Sequence, residues 1–427
     1  MLRIPDWNPG LWRSRFFSIW TGQVFSLLGS ELVQFALVWW LTQTTGSATV
    51  LAGATLVALL PVIVISPLAG TLVDRWDRRR VMILADGGIA LTSVGLALLF
   101  AFGKAEVWHV YVALLLRSAG AAFHWPSMQA ATAMMVPDRH LSRIGGLNQG
   151  LYGAAAIVSP PLGALLLGLL PMRSILAIDV ATALVAVLPL LCVRIPEPQR
   201  GVLTKRPSVL ADLGAGLRFV CGWKPLLAII LVSMTVNVFT NPASSLTPLL
   251  VTKHFGGGAI QLAGLQSAFG FGMVGGGALL GIWGGFKRRI VTVIAALFFM
   301  GVGFATVGFL PATAFGGAIA AFGFVGVMSP ICDGALLAIL QSTVPHEMQG
   351  RVLSLLMSGA KAAAPLGLAV AGPVADRFGV PVWYAIAGLV MVACSVLVFA
   401  VPGVLRIEQG AAAQTGVRAD ATESPAE

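Results

Sequence analysis

The chain alternates long apolar runs with short polar interruptions, and the runs carry almost no charge. The hydrocarbon core of a bilayer is about 30 Å thick and needs about 20 apolar residues per helix. Every backbone group in lipid must be hydrogen-bonded within its own segment, so such runs are helices. Read on that rule, the chain is expected to cross a membrane twelve times, at 17–41, 48–72, 82–102, 108–134, 146–169, 173–193, 225–250, 259–285, 290–310, 314–342, 352–373 and 381–402. The first run is too long for a signal peptide, so the first helix is expected to be retained. Only one connection is long. It holds Arg194, Arg200, Lys205, Arg206, Arg218 and Lys224 against Glu197 and Asp212. The expected architecture is therefore an all-α integral membrane protein of two six-helix pseudo-symmetric halves, 1–193 and 225–402, joined by a cytoplasmic loop, 194–224. The tail 403–427 is rich in Ala, Glu, Asp, Thr and Ser, lacks aromatics, and reads as disordered and cytoplasmic.

Two short matches suggest an internal duplication. Val136-Pro137 with Arg143 six residues past the proline recurs as Val344-Pro345 with Arg351. Pro161-Leu162-Gly163 followed by Gly168 recurs as Pro365-Leu366-Gly367 followed by Gly372, each in the fifth span of its half. Parallel repeats of this kind are common in transporters. Span eight collects Gly264, Gly270, Gly272, Gly275, Gly276, Gly277 and Gly281, small residues that let helix backbones approach.

Composition removes the soluble alternative, because 57% hydrophobic and 10% charged residues leave too little polar surface to cover a water-soluble fold. The net charge of +10 would suggest nucleic acid in a soluble domain, but the charges are too few for a basic face. Their placement gives orientation instead. Lys104, Arg173, Lys253 and Arg377 fall on one side, Arg117 and Lys361 lie within spans, and the rest fall on the other side. Cytoplasmic loops collect Lys and Arg, so both termini are expected inside a cytoplasmic (inner) membrane. Cys192, Cys221, Cys332 and Cys394 lack metal or dithiol spacing and read as packing residues. His109, His124, His140, His254 and His346 show no nucleophile or ligand pattern and read as loop or packing residues. No enzyme, metal or cofactor is expected.

The loop between spans two and three reads Gly70-Thr71-Leu72-Val73-Asp74-Arg75-Trp76-Asp77-Arg78-Arg79-Arg80. A carboxylate at a helix end can pair with a nearby arginine and face the positive end of another helix, forming a charged latch. The basic cluster also suits anionic headgroups. This loop resembles the signature of the major facilitator superfamily, with Asp77 where the pattern commonly has glycine. The resemblance implies a latch of Gly70, Asp74, Arg75 and Arg78. The second-half counterpart, Gly281 to Arg289, lacks the acid, and Asp376-Arg377-Phe378-Gly379 copies the letters on the outer side and is assigned no latch role. Arg117, followed by Gly120, is similar to the superfamily's intramembrane arginine, which implies proton transfer in proton-coupled members; a structural ion pair stays open. Ser159-Pro160-Pro161-Leu162-Gly163 looks like the antiporter kink of span five. With Val136-Pro137 and Val344-Pro345 to Val352, the chain resembles the branch holding macrolide-efflux proteins and the enterobactin exporter.

Acids inside spans are costly and default to function. Glu31, in span one, could cycle between protonated and ionised forms. Asp333, in span ten, could relay protons or pair with Lys361. Asp86 and Asp179, near span ends, read as interfacial. Gln34, Phe123, Asn237 and Asn241 are cavity candidates. A mostly apolar cavity with one acid suits a lipophilic cation. The expected function is a monomeric secondary transporter that exports small lipophilic, drug-like or siderophore-like molecules against protons. An importer, a uniporter and a non-transporting lipid-handling or scaffold protein stay open.

Overall fold

The computed structural model describes residues 12–73, 76–193, 195 and 209–408. Thirteen helices follow one another, with no strand among the described residues. They are α1 (Trp12–Thr45), α2 (Ala48–Val73), α3 (Arg78–Ala101), α4 (Val107–Met135), α5 (Asp138–Leu169), α6 (Met172–Cys192), α7 (Val209–Gly222), α8 (Lys224–Leu249), α9 (Ala259–Trp283), α10 (Arg289–Phe309), α11 (Phe315–Thr343), α12 (His346–Phe378) and α13 (Val380–Leu397). Eleven are long and apolar enough to cross a membrane. Helix α4 joins them by length, about 43 Å at 1.5 Å per residue, although His109, Arg117 and His124 interrupt its apolar run. The two repeated Val-Pro pairs are helix corners. Val136 and Val344 close α4 and α11, and Pro137 and Pro345 cap α5 and α12. A proline has no N–H to leave unpaired there, and its fixed φ suits a helix start.

The structure differs from the sequence reading in the central connection, which is not all loop. It holds α7, 14 residues long and packed on α12. Val220 is buried among Leu226, Ile230, Leu340, Val344, Val352 and Leu356. The basic residues around it masked a short amphipathic run. The tail beyond Glu408 lies outside the described residues.

The helices form two compact units, one of α1–α6 with Val251–Ser267, the other of α7, α8 and the chain from Ala268. In the first, α1 packs on α5 and α6, α3 on α4 and α6, and α2 on α4. In the second, α8 packs on α12 and α13, and α10 on α11 and α13. Helix α9 meets α11 through Gly272 and Gly276, where a Cβ would run into the carbonyls of Gly323 and Val327. Counting α8 as the first helix of its half, the pairings coincide. The duplication seen in two short motifs is thus a duplication of packing. Of the span-eight glycines, Gly264, Gly275, Gly277 and Gly281 face open space, so close approach explains only one face. Val64, Leu84, Leu91, Leu169, Ile282 and Phe309 are exposed, as suits faces solvated by lipid.

Candidate functional site

The first unit carries a buried polar network of a kind an apolar bundle tolerates only when every member is satisfied. Arg117 of α4 is buried, and its Nη1 lies 2.5 Å from Asp179 Oδ2 on α6. The same nitrogen donates to Ser93 Oγ of α3 at 2.6 Å. Ser93 donates in turn to Asp179 Oδ2 at 2.6 Å, and Ser30 Oγ of α1 donates to Asp179 Oδ1 at 3.2 Å. Four helices therefore converge on one carboxylate. Asp179, expected at the interface, is 1% exposed. Its closeness to the helix start is offset by donors arriving from α1, α3 and α4.

Glu31, next to Ser30, is exposed and makes no hydrogen bond or ion pair among the described residues. It lies within electrostatic reach of Arg117 and of Tyr152 on α5. Arg117 is thus committed to Asp179 and acts on Glu31 through its field rather than by contact. One turn on from Glu31, Phe35 packs against Gly163 of α5, where a Cβ would stand 2.8 Å from the ring. The close approach of α5 at Gly163 therefore bears on the α1 turn that carries Glu31. Pro161 removes the helical donor of the Ile157 carbonyl, and Ser267 Oγ supplies one at 3.0 Å. Pro160 is buried beside Ser159, whose hydroxyl has no partner.

A second polar cluster lies closer to the α2–α3 loop. Gln23 Nε2 donates to Asp86 Oδ2 at 3.0 Å, and His124 Nε2 lies 3.4 Å from Asp86 Oδ1. Asp86, also expected at the interface, is 4% exposed. Helix α3 begins at Arg78 rather than at 82, so Asp86 sits two turns inside it.

Asp74 and Arg75 lie outside the described residues, and of Gly70 only its place in α2 is described. The rest of the loop is informative. Asp77 is the N-cap of α3, accepting from Arg79 N at 3.0 Å and Arg80 N at 3.3 Å. The departure from glycine thus creates a helix start. Arg79 donates to the last carbonyls of α6, Leu190 and Leu191, complementing that helix's negative end. Arg78 lies against the Met134 sulfur of α4.

The second unit holds a cavity of about 150 Å³ whose polar lining comes from Ser233, Asn237, Cys332 and Asp333. Its remaining walls are aliphatic, among them Ile294, Leu297 and Met357. Asn241 donates to Asn237 Oδ1 at 3.0 Å, and Asn237 to the Ser233 carbonyl at 2.9 Å, a ladder along α8. Asp333 accepts from Ser329. It forms no ion pair with Lys361 among the described residues, so the pairing left open by the sequence does not occur. In the first unit Gln34 is half-buried, and Phe123 stacks on Trp76 at 6.2 Å.

A bundle of two matching helical units, with a buried ion network in one and an acid-lined cavity in the other, is the construction of a membrane transporter. The chain matches the Major Facilitator Superfamily over residues 19–368 and belongs to it. It is 34% identical to macrolide efflux protein A of Streptococcus pyogenes over 386 residues, 90% of this chain and 95% of that protein. It is 26% identical to the multidrug efflux pump Tap of Mycolicibacterium fortuitum, covering 88% and 92%. In fold it resembles a mutant of the nucleoside transporter NupG, with a TM-score of 0.73 and 14% identity over 92% of this chain and all of that one. A D-xylose-proton symporter gives 0.68 and 15%, covering 92% and 99%. The protein is therefore a multi-pass membrane transporter of small molecules and not an enzyme.

Sequence reasoning placed Asp179 and Asp86 at the interface, missed Ser93 and Ser30, and took His124 for a loop or packing residue. The available signal was spacing. Gln23 and Ser30, Asp86 and Ser93, and Arg117 and His124 are each seven residues apart, two turns on one helical face.

Proposed function

We propose that the protein exports lipophilic, drug-like molecules across the cytoplasmic membrane in exchange for protons, by alternating access between its two halves, with both termini inside. It works as a monomer in the bilayer. The halves are 1–193 and 225–402, with 194–224 as the cytoplasmic link, and they switch access by moving as units. The loop of Gly70, Asp74, Arg75 and Arg78 acts as the latch between states. The export direction rests on the similarity to efflux proteins. The observation that carries the coupling is the Glu31–Arg117–Asp179 arrangement: Asp179 neutralises Arg117, leaving Glu31 as an accessible acid without a counter-ion in contact. Such an acid is favoured neutral in a low-dielectric site and charged when water reaches it, so alternating access loads and unloads its proton. Pro160, Pro161 and Gly163 provide the bend that keeps α5 against Glu31's helix. The cavity around Asp333 and Asn237 is mostly apolar with one acid, which suits a cationic, lipophilic substrate.

The test is uptake of lipophilic dyes and macrolides into everted vesicles under an imposed pH gradient, comparing wild type with Glu31→Gln. Gradient-driven uptake that is lost in the variant is the expected outcome. Uptake indifferent to the gradient rules out antiport, and a fully active Glu31→Gln places the carrier elsewhere.

A further inference from the structure

The ion network leaves the first unit's charges unbalanced. Away from helix ends its helices carry Glu31, Asp86 and Asp179 against Arg117 alone, and Arg117 is taken by Asp179. Asp86 is therefore a buried carboxylate whose partners among the described residues are an amide, Gln23, and an imidazole, His124. With His124 neutral this cluster holds one uncompensated negative charge in an apolar bundle, an expensive arrangement. One added proton cancels it. The His124 Nε2 atom is placed to take that proton, being buried, 3.4 Å from Asp86 Oδ1, and otherwise without a hydrogen-bond partner.

Among the described residues no other group competes for the role. Helix α1 brings Gln23, with Glu31 about two turns further on; α2, from Ala48 to Val73, has no ionisable residue; α3 brings Asp86. Helix α4 itself carries Arg117 two turns away, α6 brings Asp179 to Arg117 and not to His124, and α5 brings Tyr152 onto Trp125. The seven-residue spacing on α1, α3 and α4 stacks this cluster about 10 Å along the bundle from the Arg117 network.

We propose that Asp86, His124 and Gln23 form a second proton-binding station in the first unit, displaced from Glu31 toward the α2–α3 loop. A proton bound at Nε2 makes an imidazolium paired with the Asp86 carboxylate; its release to water leaves neutral imidazole, and Gln23 holds the carboxylate in place throughout. Imidazole is the side chain suited to this exchange, since its charge changes near neutral pH. The station deepens the antiport reading by adding a titrating site beyond Glu31, but its existence is tested without transport.

The experiment is a pH titration of imidazole resonances in the full-length, histidine-labelled protein in lipid nanodiscs, with His124 assigned by comparison with His124→Gln. His124 is expected to titrate between about pH 5 and 8, to stop titrating in that range in Asp86→Asn, and to keep titrating in Glu31→Gln. Should Asp86→Asn fail to fold, Gln23→Leu serves instead: loss of the other hydrogen bond on Asp86 is expected to displace the His124 titration curve from that of the wild type. A His124 that stays in one protonation state across that range in the wild type overturns the station, as does a titration unchanged in both variants. A titrating His124 in a protein whose uptake ignores the pH gradient supports the station and overturns the antiport reading alone.

Discussion

The two units share a packing plan and differ in what they bury. Where α3, α4 and α6 of the first unit meet, they enclose Ser93, Arg117 and Asp179. Where their counterparts α10, α11 and α13 meet, they enclose glycine contacts and rings. Gly301 of α10 abuts Gly388 of α13, and Tyr384 lies buried against Phe304 and Phe322. Its hydroxyl donates to the Ala243 carbonyl at 2.7 Å and sits 2.8 Å from Thr247 Oγ1, both on α8. The contact between fifth and first helix also recurs. Gly163 meets Phe35, and Gly367 meets Val238, so Met234 stands where Glu31 would. Duplication preserved the scaffold, while the buried Arg117–Asp179 ion pair was built into the first half.

The sharpest way to break that contrast is to remove Arg117. Leaving Asp179 buried and unpaired in Arg117→Leu is expected to cost about 3–5 kcal/mol and to abolish uptake. The double variant Arg117→Leu/Asp179→Leu should recover most of the thermal stability, read by detergent melting, but not gradient-driven uptake. A double variant as unstable as the single would show that the pair is not the unit of stability.

The glycine contacts sharpen the comparison next. In Gly367→Ala the new methyl group meets the Val238 backbone carbonyl, which cannot move without shifting α8, whereas in Gly163→Ala it meets the edge of a side chain. Overpacking costs about 1–3 kcal/mol, and melting temperatures should place Gly367→Ala at the severe end and Gly163→Ala at the mild end. The reverse order would mean that Phe35 is held more rigidly than the α8 backbone. Gly163→Ala should in addition reduce uptake, because it displaces the helix that carries Glu31.

The smallest effect is expected from Tyr384→Phe, which removes one hydroxyl from the second unit and about 1 kcal/mol with it. Its uptake should keep the pH-gradient dependence of the wild type. A changed dependence would place proton chemistry in the second unit as well.

Much of the architecture followed from local physics. Apolar run length decides that helices form and cross a membrane, and the spacing of Val136-Pro137 and Val344-Pro345 marked corners that the structure shows as helix caps. Arg117 was identifiable because a charge in an apolar run is conspicuous against its neighbours. Which carboxylate answers it was not, because Asp179 is 62 residues away and the sequence of a uniformly apolar helix does not say which face turns inward. Only the packing of α1, α3, α4 and α6 around one point decided that Arg117 holds Asp179, that Glu31 stands without a counter-ion in contact, and that His124 meets Asp86. Hydrophobicity is additive along the chain and can be read from it; the pairing of buried charges depends on distances between helices, which exist only once the bundle has formed.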